Sequence, residues 1–289
     1  MRPLRGTLRA GGAPQLRRGT FAAYVELLHL PPIAMVLLAS SGFTMVAADG
    51  RPPLGRLALL LTATLLGQLA ISIHNDYCDR YLDAHAKPWR ALPRGLLTPR
   101  GAVALTVTLI GLSLAVAVPL GLKVVGLIVI GASAGFAYNA RLKRTVWTWL
   151  PFWVALPTLP LTAFATVGHW NPRLWLVYLI GAPLVMGVYI ADTLSDIESD
   201  SALGVRGLAH RLGPRRARYA GWAAIALAQL LALALWPNDH RPGPLFFLSV
   251  AALIVAIVLD RRAVRRGHWL AIMASVIILS LSWLLALTD

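Results

Sequence analysis

The sequence predicts an all-α fold, namely a polytopic membrane bundle of nine transmembrane helices with the N-terminus in the cytoplasm and the C-terminus outside. Of its 289 residues, 57% are hydrophobic and only 13% are charged, whereas an average soluble domain has roughly 25% charged residues. Nine uncharged runs are long enough to cross ~30 Å of hydrocarbon, which takes about 17 to 25 helical residues. These runs are continuous and rich in Leu and Ala, unlike the alternating segments of a membrane β-barrel.

The nine predicted spans are separated by short charged connections. They cover residues 27–48, 57–75, 101–122, 124–140, 145–172, 174–191, 219–238, 242–259 and 267–288. With the N-terminus inside, all but five of the 27 Lys and Arg residues fall in cytoplasmic segments, as the positive-inside rule requires. The five others are Arg51, Arg56, Lys123, Arg173 and Arg241. Topology therefore explains the net charge of +15, and we predict no nucleic-acid partner, because the basic residues are not gathered on one face.

The N-terminal region divides at about residue 20. Residues 1–20 are predicted to be a basic, disordered tail near lipid headgroups, and residues 21–289 to form one transmembrane domain. The first apolar run is longer than the h-region of a secretory signal, which has about 7 to 15 residues, so we expect it to stay as a span. Cys78 is the only cysteine and has no partner for a disulfide within the chain.

Acidic residues are concentrated in two short windows. Seven of the twelve Asp and Glu residues fall there: Asp76, Asp79 and Asp83, then Asp192, Asp196, Glu198 and Asp200. In each window, oxygen-bearing side chains recur at positions i, i+4 and i+8, which places them on one helix face. These sets are Asn75, Asp79 and Asp83, and Asp192, Asp196 and Asp200. Both predicted spans run from outside to inside, so we expect both acidic faces at the cytoplasmic ends, where they can face each other.

This arrangement of carboxylates predicts a bound cation. Like charges one turn apart repel, and ionisable groups at membrane depth are costly. Carboxylate and amide oxygens favour a hard ion such as Mg²⁺, which binds through a few carboxylates together with water and substrate phosphates. Charged helix ends that anchor spans at the membrane surface, or an ion or proton pathway, would also contain acids. A transport pathway, however, needs no phosphate-sized basic partner.

Basic residues follow each acidic window and the fourth span. They are Lys87, Arg90 and Arg94, then Arg206 and Arg211, and Arg141, Lys143 and Arg144. Arginine and lysine are the usual phosphate ligands, although cytoplasmic loops are basic in any case. Acids, bases and an apolar bundle together predict a site for a lipid diphosphate, with the head in the polar cap and the tail among the helices. There, Mg²⁺ and cations would stabilise a departing diphosphate, and a water-poor cavity would protect the carbocation left behind.

Four motifs resemble those of the UbiA family of intramembrane prenyltransferases. "NDYCDRYLD", at 75–83, fits the NDxxDxxxD motif, and "KPWRALPRGLLT" is similar to the KPxRPLPxG segment that often follows it. "DIESDSALGVRGLAHRLG" resembles the second motif, DxxxD, and "YNARLKR" resembles the Tyr and Lys/Arg loop after the fourth span. Ala91 and Arg94 depart from the usual proline and serine. In the first helix, "YVELLHLPP" has Glu26 and His29 where many members have a basic residue.

The resemblance implies roles for individual residues. Mg²⁺ and the prenyl diphosphate would be held by Asn75, Asp79, Asp83, Asp196 and Asp200, with Asp76 and Asp192 in support. Lys87, Arg90, Arg141 and Lys143 fall where diphosphate-binding charges are expected, and Arg206 belongs to the basic segment after the second motif. Tyr138 would lie near the reacting carbon. The implied enzyme transfers an isoprenoid chain from its diphosphate to an acceptor, often an aromatic ring carbon, in quinone or lipid biosynthesis.

Two other functions remain open on the residues alone. A terpene synthase on the same scaffold would use the same site without an external acceptor, and a transporter would use the acids without diphosphate chemistry. For a prenyltransferase, the expected partners are an isoprenyl diphosphate donor, an aromatic or lipid acceptor and membrane lipids, with no obligate protein partner. The expected location is the plasma membrane of a prokaryote, with the active site facing the cytoplasm.

Overall fold

The computed structural model describes residues 27–202, 208–237, 241–262 and 264–288, without the side chains of 195–202 and 265. Within these ranges, helices and connecting turns make up the structure and no strand occurs. The helices are α1 (Leu30–Ala47), α2 (Leu54–Ala86), α3 (Pro99–Ala117), α4 (Leu122–Ala140), α5 (Leu150–Ala155), α6 (Thr158–Val167), α7 (Leu176–Ala202), α8 (Leu208–Ala234), α9 (Pro244–Arg261) and α10 (Arg265–Leu285). Short 3₁₀ turns occur at Val118–Leu120, Leu142–Arg144 and Pro172–Trp175.

The predicted membrane bundle is confirmed. Nine helical segments of the described chain are long and apolar enough to cross a membrane. Helices suit this environment, because a helix forms all its backbone hydrogen bonds internally where no water is present. The fifth segment consists of α5 and α6, which are separated at Pro157, a residue that has no N–H to donate. At this break the hydroxyl of Thr158 donates to the carbonyl of Ala155 at 2.6 Å.

Two spans are longer than the sequence indicated. Helix α2 continues beyond residue 75 to Ala86, and α7 continues beyond residue 191 to Ala202. Counting uncharged residues underestimated both, since aspartate and arginine end a membrane core without ending a helix. Helix α2 stops at Lys87, whose amide donates to the carbonyl of Asp83 at 2.8 Å, because the following Pro88 disfavours helical geometry at the residue before it.

Proline and glycine mark several other helix ends. Helix α3 begins after Thr98, whose Oγ1 accepts a hydrogen bond from the amide of Gly101 at 3.0 Å, and Pro99 takes the first helical position, where no amide is needed. Helix α8 contains a kink at Gly213, which has φ 74° and ψ 158° and is followed by Pro214. The seventh span was predicted to start at residue 219, whereas α8 already begins at Leu208, before this kink.

The helices pack into two groups that share a core. Helix α2 packs chiefly against α3 and α4, whereas α7 packs chiefly against α8 and also touches α5 and α10. The largest cluster of buried side chains joins α6 to α7, α8, α9 and α10. The two helices that carry the acidic motifs thus belong to different packing groups.

Helices α7 and α8 approach each other closely at two glycines. A methyl group at Gly187 would lie 2.5 Å from Cγ1 of Ile225 and 3.1 Å from the carbonyl oxygen of Gly221. Small residues let helix backbones come together in a membrane, where packing rather than the hydrophobic effect drives association.

Replacing Gly187 by alanine should therefore loosen the α7–α8 pair. We expect Gly187→Ala to destabilise the protein by about 1–3 kcal/mol, as overpacking does in cores, and to lower the midpoint of thermal unfolding in detergent. Gly126→Ala is the control, because nothing lies within 4 Å of a Cβ added there and alanine favours a helix over glycine by about 1 kcal/mol. Equal midpoints for the two variants would contradict this packing.

Candidate active site

The last three turns of α2 carry the first acidic motif. Asn75, Asp76, Asp79 and Asp83 all belong to this helix, and at 3.6 residues per turn they lie within about 100° of its circumference. Asp76 and Asp83 are 2% and 3% exposed, so two carboxylates are almost fully removed from solvent. We call this end of the bundle, where α2 finishes, the charged end.

Arg90 joins the two buried carboxylates. Its Nη1 lies 2.6 Å from Oδ1 of Asp76 and 3.1 Å from Oδ2 of Asp83. Lys87 is more distant, with Nζ 3.8 Å from Oδ1 of Asp83 and a side chain that is 47% exposed. Lys87 and Arg90 both belong to the connection between α2 and α3. Ala91 and Leu92 hold this connection in place, because they are buried in a cluster with side chains of both helices.

The turn after α4 supplies a second pair of cations. Lys143 donates to Oδ2 of Asp79 and, at 3.3 Å, to Oδ1 of Asn75, while Nη2 of Arg144 lies 3.3 Å from Oδ1 of Asp79. The 3₁₀ turn Leu142–Arg144 brings both side chains to α2. Arg144 was named among the basic residues after the fourth span, but the resemblance assigned diphosphate binding only to Arg141 and Lys143 in this segment. Arg141 is exposed and forms no ion pair within the described ranges, so its role stays a prediction.

The carboxylates of α2 are therefore held by two separate groups of cations: Asp76 and Asp83 share Arg90, whereas Asp79 is paired with Lys143 and Arg144. For that reason, among the described side chains, no three acidic, His or Cys groups converge as metal ligands do. One acceptor is left over, because Oδ2 of Asp76 is buried and has no hydrogen-bond partner. Together with the amide of Asn75, the carboxylates form a set of hard oxygen donors of the kind that Mg²⁺ binds.

The second acidic motif lies on α7. The helix extends through residues 192, 196 and 200, so the predicted i, i+4, i+8 spacing is realised on a helix. Asp192 is exposed and accepts a hydrogen bond from Nε1 of Trp269 in α10. The side chains of Asp196 and Asp200 lie outside the described part of the structure, as do Glu26 and Arg206. Their assigned roles stay predictions.

An apolar cavity of about 490 Å³ opens beside the carboxylates, between α1, α2, α4, α5 and α6. Its polar rim includes His29, Asn75 and Tyr138, and the Tyr138 ring packs edge-to-face on Phe152 with centroids 5.0 Å apart. Along α2 the lining runs from Asn75 to Ala63, about 18 Å at the helical rise of ~1.5 Å per residue. The volume is typical of a small-molecule site, and the apolar walls suit a hydrocarbon chain.

Removal of Arg90 should destabilise the charged end. Arg90→Gln would leave Asp76 and Asp83 buried without their shared cation, and breaking a buried pair from one side costs about 3–5 kcal/mol. We expect a markedly lower midpoint of thermal unfolding in detergent.

Lys87→Gln is the matched control for this change. Because the Lys87 side chain is exposed and its Nζ is 3.8 Å from Asp83, its ion pair should contribute at most about 1 kcal/mol. Similar midpoints for the two variants would show that Arg90 does not hold these carboxylates together.

These features define an integral, multi-pass membrane protein with an apolar cavity whose wall includes Asn75, beside a cluster of carboxylates and basic side chains. The chain belongs to the UbiA prenyltransferase family, whose model matches residues 34–280. It is thus an enzyme of the prenyltransferase class, as its sequence motifs predicted.

Known proteins resemble the chain along most of its length. The bacteriochlorophyll synthase 33 kDa chain of Cereibacter sphaeroides is 32% identical over 228 residues, which cover 73% of this chain and 74% of the relative. The 4-hydroxybenzoate octaprenyltransferase of Aeromonas hydrophila is 27% identical, with coverage of 84% and 86%. A solved UbiA homolog from Archaeoglobus fulgidus, bound to GPP and Mg²⁺, shares the fold with a TM-score of 0.68 at 19% identity, covering 92% of this chain and 100% of that one.

Proposed function

We propose that the protein transfers an isoprenoid chain from a prenyl diphosphate to an aromatic or lipid acceptor in a Mg²⁺-dependent reaction. The observation that carries this proposal is the position of the cavity mouth. Asn75 belongs both to the carboxylate face of α2 and to the wall of the 490 Å³ cavity, so a diphosphate at the carboxylates would have its hydrocarbon chain inside the cavity. The A. fulgidus structure with GPP and Mg²⁺ supports the same assignment of donor and metal.

The residues of α2 and α7 divide the binding of the donor head. Asn75, Asp79 and Asp83 would hold Mg²⁺ together with Asp196 and Asp200, and Asp76 and Asp192 would support them. Bound there, Mg²⁺ supplies positive charge to the leaving diphosphate. Arg90, Lys143 and Arg144 now bond the carboxylates, and the same guanidinium and ammonium groups are suited to diphosphate oxygens. Lys87, Arg141 and Arg206 are further candidates for these contacts.

The proposed chemistry depends on the basic side chains near the diphosphate and on the apolar walls of the cavity. The bond between the allylic carbon and the diphosphate oxygen breaks, and its electron pair leaves with the diphosphate, whose charge the basic side chains stabilise. The apolar walls keep water from the carbocation. A new bond then forms from an electron pair of the acceptor, which releases one proton. Tyr138, which lines the same cavity as Asn75, would lie near the reacting carbon.

Loss of the carboxylates should abolish turnover without unfolding the protein. For Asp79→Asn and Asp83→Asn we expect release of diphosphate from labelled geranylgeranyl diphosphate with Mg²⁺ to fall about 100-fold or more, as when an electrostatic group is removed from an active site. Asp49→Asn is the control, since Asp49 is exposed in the loop at the opposite end of α2 and its left-handed φ of 48° also suits asparagine.

The same assay separates transfer from cyclisation. The proposal expects diphosphate release to depend on an added acceptor and to yield a prenylated product. A cyclic or volatile hydrocarbon formed without an acceptor would instead identify a terpene synthase. Full activity of Asp79→Asn would contradict the proposed site itself.

We also propose that the charged end faces the cytoplasm of a prokaryotic cell, because the basic residues cluster on that side. A single reactive thiol can test this orientation, since Cys78 is the only cysteine. In a Cys78→Ser background, we expect Asp49→Cys to react with a membrane-impermeant maleimide on intact cells. His85→Cys, at the charged end, should react only after the membrane is permeabilised. The reverse labelling pattern would invert the assigned topology.

A further inference from the structure

The cavity ends on a floor of packed side chains, far from Asn75. Ala63 of α2 and Ile128 of α4 line the cavity, and both belong with Leu60 and Val124 to one apolar cluster. Ala63, Val124 and Leu60 are 0%, 1% and 2% exposed, so the space just beyond the lining residues is filled. Within the described residues, the cavity is therefore closed at this depth.

Arg56 ties together the elements beneath this floor. Its Nη2 donates to the carbonyl of Leu120 at 3.3 Å, and its Nε donates to the carbonyl of Thr166 in α6. Leu120 is itself a member of the floor cluster. One turn nearer the cavity, the hydroxyl of Thr162 donates to the carbonyl of Thr158, so this side chain needs no partner from a ligand. These bonds hold α2, α6 and the turn before α4 at a fixed spacing below the cavity.

The wall that α4 contributes above the floor consists of small residues. Between Tyr138 and Ile128, the residues of this helix that line the cavity are Gly135, Ala132 and Gly131. Ile128 is thus the first large side chain of α4 that a hydrocarbon tail meets on its way down from Tyr138. These two residues are about 15 Å apart along the axis, at a helical rise of ~1.5 Å per residue.

The depth of the cavity can be compared with the length of an isoprenoid tail. Each isoprene unit adds four carbon–carbon bonds of ~1.5 Å along the chain, so an extended unit is about 5 Å long. The ~15 Å along α4 and the ~18 Å along α2 therefore hold about three extended units, or about four when the tail bends. A tail of about eight units would extend to roughly 40 Å, more than twice the depth of the cavity.

We infer that the floor formed by Ala63 and Ile128 limits the donor to about four isoprene units, so that the protein uses geranylgeranyl diphosphate or a shorter donor and discriminates against octaprenyl diphosphate. This inference rests on the proposed function, which places the diphosphate at the α2 carboxylates and the tail in the cavity. Burial of apolar carbon strengthens binding, so affinity rises with each unit that enters. A tail that is too long must fold back at the floor and crowd the cavity, which is unfavourable.

Donors of different length test this limit without an acceptor. Labelled geranylgeranyl diphosphate is bound to the purified full-length protein with Mg²⁺, and unlabelled geranyl, farnesyl, geranylgeranyl and octaprenyl diphosphates are added as competitors. We expect affinity to rise from geranyl to geranylgeranyl diphosphate, and octaprenyl diphosphate to bind about tenfold or more weakly than geranylgeranyl diphosphate. Equal or tighter binding of octaprenyl diphosphate would overturn the inference.

Two variants of α4 should shift the preferred length in opposite directions. Ala132 is 7% exposed and lies one turn above Ile128, so Ala132→Leu would bring a large side chain about 6 Å, or roughly one isoprene unit, closer to the diphosphate. We expect it to weaken geranylgeranyl diphosphate about tenfold or more and geranyl diphosphate less than about twofold. Ile128→Ala should deepen the cavity and improve geranylfarnesyl diphosphate, which has one more unit, about threefold or more relative to geranylgeranyl diphosphate.

Ala137→Leu is the matched control, because Ala137 is exposed on the same helix and does not line the cavity. Its ratios of affinity between donors should equal those of the wild type. Ile128→Ala tests the floor by itself if Ala132→Leu does not fold. If the donors bind but no cavity variant changes these ratios, or Ala137→Leu changes them equally, the inference fails and the proposed function stands. If none of the diphosphates binds with Mg²⁺, both fail, whereas opposite shifts in the two cavity variants support both.

Discussion

The fold depends on how the carboxylates at the end of α2 are compensated. Asp76 and Asp83 are almost fully buried, and a buried unpaired charge is among the most costly features that a protein can contain. Arg90 reaches both of them, and Lys143 and Arg144 reach Asp79. The connection after α2 and the turn after α4 are consequently fixed on this helix, and Lys143 also bonds Asn75, which lines the cavity.

The same ion pairs explain why the charged end can exchange partners. A guanidinium group that bonds two carboxylates is suited to phosphate oxygens in the same geometry, and a metal ion is suited to the carboxylates. In the proposed reaction, a donor bound with Mg²⁺ would replace carboxylate–cation contacts with carboxylate–metal and phosphate–cation contacts, so the buried acids would stay compensated.

The membrane bundle could be predicted because lipid imposes a simple rule on the sequence. A span must be apolar for about 20 residues, and the nine runs meet that rule without any knowledge of their neighbours. The ends of the helices could not be predicted in the same way, as α2 and α7 show, since the polar residues that leave the hydrocarbon core still continue the helix. The break at Pro157 was also missed, because the run from 145 to 172 contains no charge to mark it.

The side-chain pairing needed the tertiary structure. The sequence showed that acids and bases share one end of the bundle, but the partner of each acid depends on how the connections fold. Arg144 and His29 contact the α2 carboxylates from segments more than 40 residues away in sequence, while Arg141, which fits the motif equally well, remains exposed. The cavity walls are built from ordinary apolar side chains of five helices, and no local pattern distinguishes these from side chains that face lipid.

The short helices α5 and α6 form a wall of the cavity that is separate from the carboxylates. These short helices line the cavity and are tied to α7 by the indole of Trp153 and the hydroxyl of Tyr178, but they contribute none of the carboxylates. Substitutions here alter the volume and shape offered to a substrate without moving the residues of α2. The wall that would set the fit of a substrate and the groups proposed to act on the diphosphate thus lie on different helices, and each can be varied without replacing a residue of the other.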